Sequence, residues 1–235
     1  MVSGKRIPTE DLENRKKTKF KRLYCLFAGL AAVILLFALL LLYEPAVFNP
    51  PNTIDDNQVS PYLTHVLSPQ LYNGVQRAEP FDLIITEDGI NDVITRCGWP
   101  RQTGGITFSV PVVFFVPDAI VLMGQVSVGG AEFVVTVVSK PCLNEADLLN
   151  LRVARVKLGA VNITPLARVI ARRIYLQQVV GSGSDAETLS ARIAASLLDG
   201  EPFEPVFEID DKKVRIRKLT ITQGKLTVYL VPVMD

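Results

Sequence analysis

The chain is poor in the side chains on which most metal-dependent and nucleophilic enzymes depend. Its 235 residues include a single histidine, His65, and three cysteines. These counts exclude a multi-histidine metal site and a small fold held together by disulfides. The chain also has no phosphate-binding loop, no GxSxG turn and no HExxH zinc motif. The sequence therefore predicts no catalytic residues, no cofactor and no metal site, and it argues against an enzyme.

Charge is also scarce, and it is unevenly distributed. Charged residues make up 21% of the chain and hydrophobic residues 49%, with a formal net charge of +1. Residues 1–22 carry a net charge of +5, whereas residues 44–235 carry −4. The acidic balance of the larger part argues against nucleic-acid binding. The large apolar content argues against a disordered chain.

The uncharged stretch 23–42 predicts a transmembrane helix. Thirteen of its twenty residues are Leu, Ile, Val or Phe, and about twenty helical residues span the hydrocarbon core of a bilayer. With Tyr43 at the interface, we assign residues 23–43 to the membrane. A cleaved signal peptide is the alternative. Its apolar core is shorter, about 7 to 15 residues, and ends in a small-residue cleavage site that residues 43–47 do not offer, so a signal-anchor is favoured.

The charges on either side of this stretch predict its orientation. Six basic residues lie between Arg15 and Arg22, whereas the first basic residue after the span is Arg77. Positive flanks stay on the cytoplasmic side. We therefore expect a single-pass protein with a cytoplasmic basic tail, residues 1–22, and an extracytoplasmic remainder. The lipid bilayer is its first predicted partner.

Proline content divides the remainder into a linker and one domain. Residues 44–61 contain four prolines among polar residues, which predicts an extended spacer that holds the domain off the bilayer. Residues 62–235 then form the external domain.

Apolar and polar residues alternate in much of this domain, which predicts antiparallel strands. In residues 106–116 the even positions form the apolar face, and Pro111 on the other face indicates an edge or a bulge. Gly129-Gly130 fits a tight hairpin turn. The strand predicted over residues 149–163 changes its apolar parity near Ala154, which indicates a bulge that bends it.

Two helices interrupt the strands. Thr164-Pro165 begins a helix that runs to about Gln178, and a second helix runs from Asp185 to Asp199. The predicted fold class is α+β: an N-terminal transmembrane helix, then one external domain in which a curved antiparallel sheet wraps around one or two helices.

Three groups of residues are candidates for a site. The apolar residues expected to face inwards, and so to line a ligand groove, are Phe108, Val110, Phe114, Leu122, Phe133, Val135, Ile170 and Ile174. Arg168 and Arg172 lie one helical turn apart and are candidates for binding a phosphate headgroup; a solvated helix face is the alternative. Cys97 and Cys142 lie in external loops, where a disulfide is slightly favoured over two free thiols.

Two segments resemble known families. Residues 81–94, FDLIITEDGINDVI, resemble a motif of the YpmS-like single-pass bacterial envelope proteins, in which a strand runs into Thr/Ser-Glu-x-x-Leu/Ile-Asn. Gly89 stands where that motif has a longer residue. Residues 214–226, VRIRKLTITQGKL, look like the closing hairpin of bacterial tubular lipid-binding (TULIP-like) domains. The resemblance covers about residues 81–232. It implies a curved sheet around a long helix with an apolar groove, and it brings no catalytic residues.

Two functions remain. The first is a membrane-anchored protein of the bacterial envelope whose external domain binds a lipid, an acyl chain or another apolar ligand. The second is a structural or interaction module without a ligand that serves other envelope proteins.

Overall fold

The fold is α+β, with one apolar N-terminal helix followed by antiparallel sheets. The computed structural model describes residues 9–50, 58–182 and 189–233. Within these ranges it describes all side chains except those of residues 9–23, 174–182 and 190. The helices in chain order are α1 (Thr9–Leu41), a π-helical turn (Leu63–Leu67), α2 (Ser68–Gln76), α3 (Glu87–Thr95), α4 (Thr164–Ser182) and α5 (Leu189–Asp199).

Helix α1 contains the apolar stretch that the sequence predicted. Its segment Tyr24–Leu41 has a mean hydropathy of 2.7, and none of it is buried by the rest of the chain. Among the described residues, this is the one helix whose length and composition would allow it to cross a membrane.

In the described ranges, thirteen strands form two main sheets and one small one. They are β1 (Phe81–Thr86), β2 (Arg101–Thr103), β3 (Ile106–Phe108), β4 (Val112–Val116), β5 (Ala119–Val128), β6 (Ala131–Ser139), β7 (Cys142–Leu143), β8 (Leu149–Asn150), β9 (Val153–Leu158), β10 (Val161–Asn162), β11 (Val206–Ile209), β12 (Lys212–Thr222) and β13 (Lys225–Val233). The four-stranded sheet has the order β1-β13-β12-β11. The seven-stranded sheet has the order β10-β9-β6-β5-β3-β2, with β4 also paired to β5. Strands β7 and β8 pair separately.

The largest core lies on one face of the four-stranded sheet. Alternate residues of its strands turn inwards, and Val214, Ile216, Val228 and Leu230 are all buried there. Helix α2 contributes Val75 to this cluster. The opposite face carries threonines and lysines, as expected for an antiparallel sheet with one solvated side.

The seven-stranded sheet confirms the predicted hairpin. Gly129 and Gly130 have φ values of 58° and 85° and connect β5 to β6, a conformation that glycine adopts without steric cost. The interruption predicted at Pro111 is present. The register against β5 shifts by one residue between the Phe108–Val126 and Val112–Met123 pairs, so β3 and β4 are separate strands, because proline cannot donate to the ladder. The single apolar face predicted for the even positions of residues 106–116 is wrong, since the shift turns Phe108 and Phe114 to opposite faces.

The bulge predicted near Ala154 is confirmed. Val138 pairs with Arg155 and Ser139 pairs with Val153, which leaves Ala154 as the extra residue. The long strand predicted over 149–163 is instead divided into β8, β9 and β10, since the chain breaks before Val153 and turns after Leu158.

The end of α1 lies directly against the domain. The Ala160 amide donates to the Leu40 carbonyl over 2.8 Å, in the turn between β9 and β10. At Gly159 a Cβ atom would lie 2.3 Å from the Leu41 carbonyl oxygen, so glycine is needed for this close approach. Helix α1 and the β9–β10 turn therefore share a hydrogen-bonded junction.

The segment after α1, in which the prolines predicted an extended spacer, contacts the domain at two points. Phe48 is buried against Val112, Val134 and their neighbours on the seven-stranded sheet, because an aromatic ring is stabilised by burial against an apolar surface. At the far end, Ser60 donates to Asp92 of α3. This hydrogen bond, with the Arg96 guanidinium beside it, holds the pKa of Asp92 below its usual range. Residues 51–57 lie outside the described residues.

Helix α4 packs against β9 and α5 at the edge of the seven-stranded sheet. Its start is held by Thr164, whose hydroxyl accepts the Val156 amide over 2.8 Å. A sheet wrapped around this helix stays a prediction.

Candidate functional site

A cleft lies between α4, α5 and the segment that joins β8 to β9. Its volume is about 570 Å³. It is lined by Asn150, Arg152, Val153, Arg168, Val169, Arg172, Leu197, Leu198, Asp199 and Gly200. Both arginines that the sequence proposed as headgroup ligands are therefore in one site.

A small polar network fixes the walls of this cleft. The Ser196 hydroxyl, fully buried on α5, accepts the Leu151 amide over 2.8 Å. The Asn150 side chain donates to the Gly200 carbonyl over 2.8 Å and accepts the Arg152 amide over 2.9 Å. These bonds tie the end of α5 to the β8–β9 connection, which places Arg152 at the rim.

The charge of the cleft is predominantly positive. Arg168 donates to the Val153 carbonyl over 3.0 Å. The Arg172 Nε lies 3.7 Å from the Asp199 carboxylate, and the two side chains are 65% and 38% exposed. Such an exposed pair contributes little to stability. Three guanidinium groups face one carboxylate here, and guanidinium binds phosphate or carboxylate through paired hydrogen bonds.

The cleft also has an apolar side. Val153, Val169, Leu197 and Leu198 contribute to its walls. Beyond the rim, α4 exposes Leu166 and Ile170. A site that combines arginines with aliphatic side chains is chemically suited to an anionic amphiphile.

The apolar residues that the sequence proposed for one groove are distributed over several places. Pairing in the seven-stranded sheet puts Phe108, Leu122, Phe133 and Val135 on one face. Phe114 lies on the opposite face, against the Phe48 cluster. These two sets cannot line a single groove, because successive residues of a strand point to opposite faces.

The remaining groove candidates also differ in environment. Val110 is 2% exposed, so it is a core residue. Ile170 is exposed on α4 and is not among the residues that line the cleft. The side chain of Ile174 lies outside the described residues.

The disulfide that the sequence slightly favoured is not formed. Cys25, Cys97 and Cys142 are all free, and all lie in the described part of the chain. Cys97 follows α3, where its thiol lies 3.3 Å from the Val93 carbonyl oxygen. Cys142 begins β7 and pairs with Asn150 in the small sheet. The two loops therefore belong to different parts of the domain.

A second concavity of about 530 Å³ lies on the solvated face of the four-stranded sheet. Its lining residues are Asp82, Lys218, Thr220, Thr222, Lys225, Thr227 and Tyr229. All of them come from one sheet, so the concavity has no opposing helix wall that could enclose an apolar chain. We therefore take the arginine cleft as the candidate site.

Sequence reasoning missed part of this cleft. Arg152 is an isolated residue between two short strands, and Asn150 and Asp199 are distant from α4 along the chain. Their proximity results from the tie between Asn150 and Gly200, for which the sequence has no periodic signal. No protein-family model matches the chain, and a search of curated proteins finds no match.

Proposed function

We propose that this chain is a single-pass protein of a bacterial envelope whose external domain binds an anionic lipid in the arginine cleft. In this proposal α1 is an uncleaved anchor, with the basic tail in the cytoplasm and the domain outside. The apolar segment Tyr24–Leu41 and the basic residues before it support the anchor. The function is binding rather than catalysis.

The observation that carries the proposal is the position of Arg152, Arg168 and Arg172 around one cleft that also has aliphatic walls. A phosphate group would accept hydrogen bonds from the guanidinium groups. An acyl chain would then extend along Val169 and Leu197, with burial of about 0.8 kcal/mol per CH₂ group. The TULIP-like resemblance also points to a lipid, although the apolar groove of those domains would be a different surface.

The first test measures binding of a soluble phospholipid to the full chain in detergent micelles. We expect dihexanoyl phosphatidylglycerol to bind the wild type and to bind Arg172→Glu at least about tenfold more weakly, since a charge reversal removes a favourable contact and adds a repulsive one. Arg77→Glu, at an exposed residue after α2, is the control and should bind as the wild type does. Arg172→Glu should melt normally, because its ion pair is exposed. Equal binding by all three proteins would refute the proposed site.

The alternative function is an interaction module for other envelope proteins. It is favoured by the face of the seven-stranded sheet on which Phe108, Leu122 and Val128 are 37%, 37% and 44% exposed. Neighbouring exposed apolar side chains are typical of protein contact surfaces. If no phospholipid binds and Leu122→Lys abolishes co-purification of an envelope protein with the full chain, this function replaces lipid binding.

A further inference from the structure

We infer that α4 lies along the outer surface of the bilayer that α1 crosses, with Leu166, Val169 and Ile170 inserted into the lipid interface. The inference rests on the proposed membrane anchor. It does not depend on the arginine cleft binding a lipid. It assigns the exposed face of α4 to one partner, the membrane itself.

The first observation is the division of α4 into two faces. Ala167 and Ala171 are half-buried and turn towards the domain, whereas Leu166, Val169 and Ile170 are 58%, 68% and 49% exposed. The exposed residues have the spacing i, i+3 and i+4, which places them in one row on the helix surface. An exposed aliphatic row on an otherwise soluble helix is typical of helices that lie in the membrane interface.

The second observation is the position of this row relative to the end of α1. Ala160 is bonded to the Leu40 carbonyl, at the limit of the apolar stretch. Helix α4 begins four residues later, and four residues of extended chain reach at most about 14 Å. The polar headgroup region extends about 5 to 8 Å beyond the hydrocarbon core on each side. The start of α4 therefore lies within about 14 Å of the Ala160 junction, a distance compatible with contact with the headgroup region.

The third observation is charge. Arg173 continues the aliphatic row by one turn and Arg172 lies one turn after Val169 at its border, and both are exposed. Long basic side chains beside an inserted aliphatic row can extend to the phosphates while their stems remain in the apolar layer. This combination fits an anionic lipid surface better than it fits the interior of a protein interface, where charged residues are depleted.

The experiment measures the depth of introduced tryptophans in vesicles. The full chain is reconstituted in phosphatidylcholine and phosphatidylglycerol vesicles with and without brominated acyl chains, which quench tryptophan within the apolar layer. The wild-type signal of Trp99 is subtracted. We expect Ile170→Trp to lose the larger part of its added fluorescence. Ile84→Trp is the matched control, at a residue 39% exposed on the four-stranded sheet, and it should lose almost none.

A third variant separates failure of the inference from failure of the anchor. Leu35→Trp lies in the middle of the apolar stretch of α1 and should be quenched if α1 crosses the bilayer. Quenching of Leu35→Trp without quenching of Ile170→Trp would overturn the inference and leave the anchor intact. Absence of quenching at both positions would overturn both the inference about α4 and the membrane anchor. Leu166→Trp repeats the measurement if Ile170→Trp does not fold, and protection of either residue by a bound protein, without quenching, would also overturn the inference.

Discussion

At Gly89, in the first turn of α3, a hydrogen atom occupies space that any side chain would need. A Cβ atom there would lie 2.4 Å from the ring of Tyr62. The Tyr62 hydroxyl in turn accepts the Thr86 amide over 3.0 Å, just before α3. The glycine that departs from the YpmS-like motif therefore allows a tyrosine from the preceding segment to pack across the start of the helix.

Because of this contact, we expect Gly89→Ala to have opposite effects on stability when the Tyr62 ring is present and when it is absent. Gly89→Ala should destabilise the full chain by about 1 to 3 kcal/mol, the usual cost of overpacking. In a Tyr62→Ala background the same change should stabilise by up to about 1 kcal/mol, because alanine has the higher helix propensity. Urea unfolding of the four proteins in micelles measures both steps. Equal effects in the two backgrounds would show that the ring does not occupy this space.

At the scale of elements, side chains of α3 form hydrogen bonds with the backbone of β4 along the edge that is not paired with β5. The Asn91 side chain donates to the Val113 carbonyl and accepts the Val113 amide, both over 2.8 Å. One turn earlier, Glu87 accepts the Phe115 amide over 2.8 Å. Thr86 caps the helix by accepting the Gly89 amide over 3.2 Å. The Thr-Glu-x-x-Ile-Asn sequence thus has a structural role as a clamp on a strand edge.

We expect Asn91→Ala to cost about 2 to 4 kcal/mol of unfolding free energy, since it leaves a buried amide and a buried carbonyl unpaired and each costs about 1 to 3 kcal/mol. Asp88→Ala, at an exposed residue on the same helix, serves as the control and should change stability by less than about 1 kcal/mol. Chemical unfolding measures the loss of unfolding free energy in each variant. If the two losses are alike, the clamp has no energetic role.

The elements themselves were largely predictable from local signals. Gly129-Gly130 and the parity change at Ala154 are features of consecutive residues, and both the hairpin and the bulge are present. The two faces of β4 were not predictable. Val112 is buried under Phe48 and Val113 under the α3 side of the domain, so neither face has the polar residues that would show an alternation.

At the scale of the whole molecule, the arrangement depends on contacts between distant segments. Arg168 and Arg172 could be proposed because they are one turn apart on a helix. Arg152 could not, since only the folded chain brings it to the same cleft. The same holds for Phe48 and for the junction of Leu40 with Ala160. Prolines after the apolar helix α1 indicate an extended chain, but they do not reveal that Phe48 packs on a sheet.

Two glycines allow the effect of the junction between α1 and the domain to be separated from the cost of backbone strain. Gly159 and Gly129 have φ values of 57° and 58°, so alanine at either position should cost about 1 to 2 kcal/mol through the left-handed backbone alone. Gly129 has no neighbour within 4 Å of a Cβ atom, whereas Gly159 lies against the Leu41 and Leu40 carbonyl oxygens.

Gly159→Ala should therefore also push α1 away from the β9–β10 turn, and hydrogen exchange at the Ala160 amide should become much faster than in the wild type. Gly129→Ala should leave that exchange rate unchanged. Exchange is measured on the full chain in lipid nanodiscs. Equal Ala160 protection in both variants would mean that the domain is not held by the end of α1.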